Sequence, residues 1–173
     1  MVVVATRKPK TDDGLLTSGL SQERREFLDI VLNVLGDLDA KSDLMADRPQ
    51  ITVQAASVAD VCRTLKQDSR TLLKTLLCIA AVDFKDSIQV IYMLLSMGHE
   101  QVLAIKTDLD SDDPKVPSVT SVWAAANWHE REAHDLFGVT FEGHPDLSPL
   151  LLYDGFEGFP GRKDFPFHEY DEF

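Results

Sequence analysis

Glycine and proline crowd the chain beyond residue 137 and limit what that region can form. Nine of them lie between residues 138 and 166: Gly138, Gly143, Pro145, Pro149, Gly155, Gly158, Pro160, Gly161 and Pro166. Long helices and strands cannot pass through so many breakers. We therefore assign residues 138–173 to a Gly/Pro-rich, partner-binding tail. The rest of the chain is divided into a flexible N-terminal arm (1–20) and a folded domain (21–137).

Composition and charge narrow the function classes. Hydrophobic residues make up 44% of the chain and charged residues 27%, a mixture typical of soluble globular proteins. The formal net charge of −12 would repel nucleic acid and anionic lipid alike, so we expect neither as a partner. No apolar run reaches the roughly 20 residues that a membrane-spanning helix needs. The Val2–Ala5 run is too short for a secretory signal, so we expect the protein to stay where it is made.

The two cysteines, Cys62 and Cys78, lie far apart in the sequence and have no third or fourth cysteine partner. Iron–sulfur clusters and structural zinc sites need more ligands than this. We expect two buried thiols in a reducing compartment and no cofactor bound by this chain.

Helical periodicity appears in four places. Apolar residues at helical spacing follow Ser21 and Ser57, so each serine is a candidate N-cap of a predicted helix. A third helix is predicted over Leu72–Ala81. A last helix should begin at Ser118 or Ser121, run to Leu136 and end at Gly138.

Strand signals lie between these helices. A short strand is predicted over Ile51–Ala55, after a turn over Lys41–Pro49. Ser87–Met97 and Gln101–Asp108 are predicted to pair as a hairpin around Gly98. The expected fold is α+β: one domain with a small mixed or antiparallel sheet flanked by helices, followed by an irregular tail that docks on partner subunits.

A dense polar group within the last helix resembles a zinc-protease motif without matching it. His129 and His134 are five residues apart, whereas only an i, i+4 pair places both imidazoles on one helix face. Glu130 and Glu132 are separated by about 200° around the helix, which disfavours an acid/base pair. We expect no catalytic or metal site here, and a stand-alone soluble hydrolase is the least favoured function.

The same group has the spacing of ion pairs. Arg131 lies four residues before Asp135, and Glu130 lies four before His134. A buried arginine paired with carboxylates would fix the helix against its neighbours, either within the chain or at a partner surface.

Two blocks of the tail, Phe141–Leu147 and Gly158–Pro166, place aromatic residues beside basic ones. Neither block contains a phosphate-binding loop or a dinucleotide fingerprint. Two interpretations remain open: the tail docks on a protein partner, or it folds back on its own domain.

These residues resemble a known family. The run WHEREAHDLFGVTFEGHPDL (Trp128 to Leu147) and the block GFPGRKDFP (Gly158 to Pro166) resemble the thirty-kilodalton subunit of respiratory complex I, NADH:quinone oxidoreductase. This family comprises the C-type subunit of bacteria and the J-type subunit of chloroplasts and cyanobacteria. Weaker agreement extends back to about Ser21. The family usually has two arginines where this chain has Ser148 and Pro149, and a leucine where it has Gly161.

The resemblance implies a cofactor-free, non-catalytic scaffold subunit in the hydrophilic arm of an NADH (or ferredoxin):quinone oxidoreductase, which couples electron transfer to proton translocation. The implied partners are the large quinone-site subunit and the small iron–sulfur subunit. Iron–sulfur clusters and any flavin or nickel–iron site would belong to partner subunits. The complex would hold the chain at the cytoplasmic side of the membrane, or the equivalent organelle face. The alternative is the equivalent subunit of a membrane-bound nickel–iron hydrogenase or formate hydrogenlyase.

The residues that match the family motif would fix the structure or the interface. They are Trp128, Glu130, Arg131, Glu132, Asp135, Gly138, His144, Pro145, Asp146, Arg162, Lys163 and Asp164.

The composition of the tail generates one prediction. In the isolated chain, residues beyond Gly138 should be largely mobile, because their breakers and modest apolar content cannot close a core. Amide hydrogen exchange of the isolated chain would measure this, and strong protection throughout the tail would contradict it.

Overall fold

A five-stranded mixed sheet organises the fold. The computed structural model describes residues 21–36, 38, 40–45 and 48–166, so the predicted N-terminal arm lies outside the described residues. The elements run in the order α1 (Gln22–Leu35), β1 (Ala40–Met45), β2 (Arg48–Val53), a 3₁₀ turn (Ala55–Ser57), α2 (Val58–Gln67), β3 (Thr75–Asp83), β4 (Ser87–Ser96), β5 (Gln101–Asp110), β6 (Lys115–Pro117), α3 (Ala126–Phe137) and β7 (Thr140–Glu142). The predicted α+β class is confirmed.

The strand order is β1-β2-β5-β4-β3. Only β2 and β5 run parallel, and the other neighbours in this sheet are antiparallel. The predicted hairpin is confirmed as β4 and β5, which pair along their full lengths. A separate parallel pair joins β6 to β7, a strand within the region we assigned to the tail.

The core lies on one face of the sheet. Ile51, Ile105 and Tyr92 are cross-strand neighbours on β2, β5 and β4, and none of them exposes more than a trace of surface. Helix α2 begins after Ser57, as predicted, and Leu65 on its apolar face is fully buried in the same cluster. None of the helices in the described part of the chain is long and apolar enough to cross a bilayer.

The predicted third helix over Leu72–Ala81 is wrong, because this region forms strand β3. A bulge at Leu77 shifts the pairing with β4. The inward residues on either side of the bulge, Leu76 and Ile79, are therefore three positions apart rather than two. That spacing imitates a helical face, and Leu and Ala are strong helix formers, so the local pattern indicated the wrong element.

The predicted turn over Lys41–Pro49 is also wrong, because most of it belongs to strands β1 and β2. Strand β1 is at the edge of the sheet and needs little apolar alternation. Pro49 is tolerated because the pairing of β2 with β5 starts only at Gln50.

Helix α3 begins eight residues after Ser118, at Ala126. It ends as predicted at Gly138, whose φ of +73° is the left-handed conformation that glycine adopts without strain, and the Gly138 N–H donates to the carbonyl of His134.

Burial of Leu65 generates a stability prediction. Leu65→Ala should lower the free energy of unfolding by about 2–5 kcal/mol, because it leaves a cavity between α2 and the sheet. Leu77→Ala, at a side chain that is 44% exposed, should cost about 0.5 kcal/mol or less. Urea unfolding followed by circular dichroism compares the two, and equal losses would contradict this packing.

Candidate functional site

The polar motif identified in the sequence lies on α3, which packs against β3. Ala126, Ala133 and Phe137 face the core from this helix. The polar side chains between them diverge, and most reach other segments of the same chain.

Glu130 is fully buried and binds the segment that follows β6. Its carboxylate accepts hydrogen bonds from the Ser118 hydroxyl (2.6 Å) and the Val119 N–H (2.7 Å). Burial raises the pKa of Glu130, although these two bonds oppose the shift. Ser118 and Val119 are thus held by α3 and do not form its first turn, which explains why the helix begins later than predicted.

Arg131 binds the backbone of the tail. Its guanidinium donates to the carbonyl oxygens of Ser148 (2.9 Å) and Pro149 (2.8 Å) and lies 5.6 Å from the centre of the Trp128 ring. The spacing had predicted an ion pair between Arg131 and Asp135, and no such pair is formed among the described residues.

Asp135 holds the next part of the tail with a single carboxylate oxygen. The N–H groups of Leu150, Leu151 and Leu152 donate to it at 3.0, 2.7 and 2.9 Å. Burial works to raise the pKa of Asp135, but these three bonds and the nearby His134 outweigh it, and the pKa falls below its ordinary value. Three consecutive charge-assisted bonds make Asp135 the strongest attachment of the tail.

His134 also differs from its predicted role. Its Nδ1 contacts the carbonyl oxygen of Val139 at 2.9 Å, directly beyond the helix end. The predicted pair between Glu130 and His134 is therefore not formed either, within the part of the chain that the structure describes.

The first tail block stabilises its own turn. The Asp146 carboxylate accepts from the N–H (3.0 Å) and the hydroxyl (3.1 Å) of Ser148, and the Asp146 N–H donates to Nδ1 of His144. The side chain of His144 is buried beside Glu130, whereas Pro145 is exposed.

The second tail block packs on the end of α3. Arg162 donates to the carbonyl oxygens of Phe137 (2.8 Å) and Ser111 (3.0 Å), and the Lys163 N–H donates to the Asp83 carboxylate (2.7 Å). Asp164 lines a cavity of about 240 Å³ together with Arg162 and Lys163. Of the two interpretations of the tail, the described part therefore folds back on its own domain. These contacts predict protected amides at residues 150–152, in place of the mobile tail expected from composition alone.

Apolar side chains remain exposed along the same helix. Trp128 is 62% exposed, Leu151 60%, Tyr153 71% and Phe159 38%. We name these four residues the apolar ridge. Contacts with α3 and its end position the ridge residues. Arg131 contacts both the Trp128 ring and the backbone of residues 148–149, and Asp135 binds residues 150–152. The Phe159 ring packs against Gly138, where an added Cβ would lie 2.6 Å from the ring.

Sequence reasoning missed Leu151 and Tyr153 as site residues, although the apolar run at 150–153 stands out in a breaker-rich tail, whereas Phe159 lies in the aromatic block at 158–166. The motif residue Glu132 is exposed on the helix.

The two departures from the family pattern are accommodated by the backbone. The backbone carbonyl oxygens of Ser148 and Pro149 accept hydrogen bonds from Arg131, so this contact does not need the side chains of the usual arginines. The Gly161 N–H donates to the Leu136 carbonyl oxygen, and an added Cβ would lie 2.8 Å from that oxygen. A leucine at position 161 would require this segment to move away from α3.

No cluster of three or more histidine, cysteine or carboxylate side chains suited to a metal occurs within the described residues. Cys62 is buried and Cys78 half-buried, and both are free thiols. Burial raises the pKa of both thiols.

The attachment at Asp135 generates a prediction. Asp135→Ala should raise amide exchange of residues 150–152 by at least about tenfold, because a hydrogen bond to a charged group contributes roughly 1.5–3 kcal/mol. Glu132→Ala, on the same helix, is the matched control and should leave these amides unchanged. Because the pKa of Asp135 is lowered in the folded protein, its contribution should be present above about pH 4 and be lost as the pH falls through the folded pKa. Exchange that is equal in both variants would contradict the assignment.

Comparison with known proteins identifies the family of the chain. Residues 51–171 match the family described as respiratory-chain NADH dehydrogenase, 30 Kd subunit. The NADH-quinone oxidoreductase C subunit of Rhodospirillum rubrum is 43% identical over 133 residues, which cover 75% of this chain and 62% of that protein. The corresponding C subunit of Paramagnetospirillum magneticum is 45% identical over 125 residues, which cover 70% and 62%. The chain thus spans less than two thirds of the length of these two relatives.

Solved structures share the fold. A chain of the membrane-bound sulfane sulfur reductase, an archaeal respiratory membrane complex, superposes with a TM-score of 0.71 at 28% identity, covering 82% of this chain and 85% of that one. A trypsin-resistant fragment of Nqo5 superposes with a TM-score of 0.59 at 24% identity, covering 70% and 99%. With a family match over most of its length, the chain belongs to the 30 kDa subunit family of respiratory-chain NADH dehydrogenase.

Proposed function

We propose that this chain is a non-catalytic scaffold subunit in the hydrophilic arm of a complex I-type NADH:quinone oxidoreductase, which couples electron transfer to proton translocation. The observation that carries the proposal is the apolar ridge. Its four members, one on α3 and three on the tail, are large side chains that remain 38–71% exposed.

The chemistry of the motif supports scaffolding. Glu130, Arg131 and Asp135 are already bonded to the chain's own backbone, so they are not available to act on a substrate. Their bonds position the tail, and the tail presents Leu151 and Tyr153 outward. Tyr and Trp are enriched among the residues that contribute most to protein–protein binding, because they bury large rigid surfaces at small entropic cost.

The proposed partner at the ridge is the large quinone-site subunit, with the small iron–sulfur subunit packed nearby. The relatives that this chain resembles are C subunits of NADH-quinone oxidoreductase, which supports membership of such an assembly. We place the chain at the cytoplasmic side of the membrane, or the equivalent organelle face, held there by the complex. The net charge of −12 disfavours nucleic acid as a partner.

Redox cofactors are proposed to lie in partner subunits rather than in this chain. The two thiols lie on different elements, α2 and β3, and burial raises their pKa values, which makes them poor metal ligands. Electron transfer would then depend on this chain only through the positions of its neighbours.

A second candidate is the equivalent subunit of a membrane-bound nickel–iron hydrogenase or formate hydrogenlyase. The superposition on the archaeal sulfane sulfur reductase favours keeping it, because that match covers 82% of this chain in a respiratory complex of a different name. Identities of 43–45% to NADH-quinone oxidoreductase subunits favour the first candidate.

Purification through a tag on this chain separates the candidates. The native membrane is solubilised in mild detergent, the co-purifying proteins are identified by mass spectrometry, and oxidation of NADH, ferredoxin, hydrogen and formate is assayed. Iron–sulfur proteins together with NADH oxidation are the expected result. Hydrogen or formate activity would select the second candidate, and a chain recovered alone would overturn the scaffold function.

The ridge generates a matched prediction. Leu151→Ser with Tyr153→Ser should reduce the partner proteins recovered with the chain by about 30-fold or more, because loss of central apolar contacts typically costs about 2 kcal/mol or more of binding. Met97→Ser, at a 70% exposed apolar residue on the β4–β5 turn, is the control and should recover them fully. Equal recovery by both variants would remove the ridge from the interface.

A further inference from the structure

A cavity of about 170 Å³ lies between helix α3 and the tail. Its lining combines two polar side chains of α3 with apolar and aromatic side chains of the tail, among them His134, Asp135, Leu152, Tyr153, Phe156 and Phe159. Tyr153 and Phe159 also belong to the apolar ridge. The cavity is therefore part of the surface that we propose to meet a partner protein.

The aromatic rings of the tail pack against one another at this cavity. The rings of Tyr153 and Phe156 meet edge to face, with 5.3 Å between their centres. Phe156 stacks in turn on Phe165, with 5.9 Å between centres. The face of an aromatic ring carries partial negative charge, so it attracts a cation and repels an anion. These rings therefore suit an apolar or a cationic group.

Asp135 adds a carboxylate with one oxygen unused. The N–H groups of residues 150–152 all donate to Oδ2, whereas Oδ1 accepts no hydrogen bond within the part of the chain that the structure describes. Burial acts to raise the pKa of Asp135, but the three bonds to Oδ2 outweigh burial, so the carboxylate is ionised at neutral pH.

The described chain supplies no arginine or lysine to this carboxylate. None of these side chains among the described residues forms an ion pair with Asp135. Arg131 and Arg162 donate to backbone carbonyl oxygens instead. Asp135 is only 8% exposed, and a carboxylate buried to this extent is ordinarily paired with a cation. A cation from another molecule would complete the site.

We propose that this cavity receives an arginine side chain of the partner protein that binds the apolar ridge. The guanidinium lies against the Tyr153 and Phe156 rings and donates to Oδ1 of Asp135, while Oδ2 keeps its three bonds to the tail. Arginine suits both walls, because its planar group stacks on aromatic rings and pairs with carboxylates. The presence of a partner rests on the proposed function, but the preference of the cavity for arginine does not.

Other occupants suit the cavity less well. An apolar side chain would contact the rings but would cover the ionised Asp135 without supplying a counter-charge, which costs free energy. An anionic group would be repelled by Asp135 and by the formal net charge of −12. An arginine supplies the missing charge and covers the rings at the same time.

The first test is an NMR titration of the full chain with N-acetyl-arginine methylamide, compared with N-acetyl-norleucine methylamide, whose side chain is apolar. The arginine derivative should cause saturable shifts of the amides of residues 150–156, with a dissociation constant on the order of 1 mM or weaker. The norleucine derivative should bind at least about tenfold more weakly. No saturable shift with arginine, or equal binding of the two, would overturn the site.

Asp135→Asn and Glu157→Gln are a matched pair of variants, since each removes one negative charge. The asparagine oxygen can still accept from the tail N–H groups, and Glu157 is an exposed tail residue that does not line the cavity. Asp135→Asn should weaken binding of the arginine derivative by at least about tenfold, and Glu157→Gln should leave it unchanged. Equal binding by both variants would remove Asp135 from the site.

A third variant decides if amide exchange shows that Asp135→Asn releases residues 150–152. Phe156→Leu removes an aromatic wall and keeps an apolar side chain, so it should weaken binding of the arginine derivative by about threefold. Unchanged binding by Phe156→Leu would then overturn the site.

Purification of the complex shows whether a partner uses the cavity. Partner proteins recovered from the native membrane through the tagged chain should fall about tenfold or more with Asp135→Asn and stay unchanged with Glu157→Gln, because the partner's buried cation loses its counter-charge. Equal recovery by both variants would overturn the partner arginine and leave the scaffold function intact. If even the unaltered chain recovers no partner, the proposed function fails, and the titration alone decides on the arginine site.

Discussion

Hydrogen bonds from the side chains of one helix to the backbone of the same chain are the interactions on which the site depends. Glu130 holds residues 118–119, Arg131 holds 148–149 and Asp135 holds 150–152. Charged side chains satisfy the backbone groups of segments too rich in glycine and proline to form helices or strands of their own. The sheet supports this arrangement by providing β3 as a platform for α3. The apolar ridge forms because these bonds hold the tail backbone along α3, which leaves the ridge side chains exposed.

Local patterns predicted most of the fold and failed where tertiary structure changes the period. The β4–β5 hairpin was predictable because two β-rich runs flank Gly98, and α2 was predictable because its apolar residues keep helical spacing after Ser57. Strand β3 was not, because a bulge at Leu77 converts a two-residue repeat into a helix-like spacing. The polar edge strand β1 lacked the apolar alternation on which strand prediction relies.

The candidate site was predictable in its residues but not in its contacts. Sequence spacing indicates neighbours along a helix, so it suggested a pair between Arg131 and Asp135. The actual partners of Asp135 lie 15–17 positions away, which no local pattern reveals. The partners of Arg131 are backbone carbonyl groups, so the contacts of Arg131 are made even though Ser148 and Pro149 replace the usual arginines. A motif of this kind can therefore preserve its geometry while nearby side chains vary.

A cryo-electron microscopy map of the native complex, purified through this chain, tests the account most directly. The account predicts that Trp128, Leu151, Tyr153 and Phe159 are buried against a partner protein, while Asp135 keeps its bonds to residues 150–152. A map in which the four ridge residues remain in solvent, or in which Asp135 instead binds a group of another protein, would contradict it.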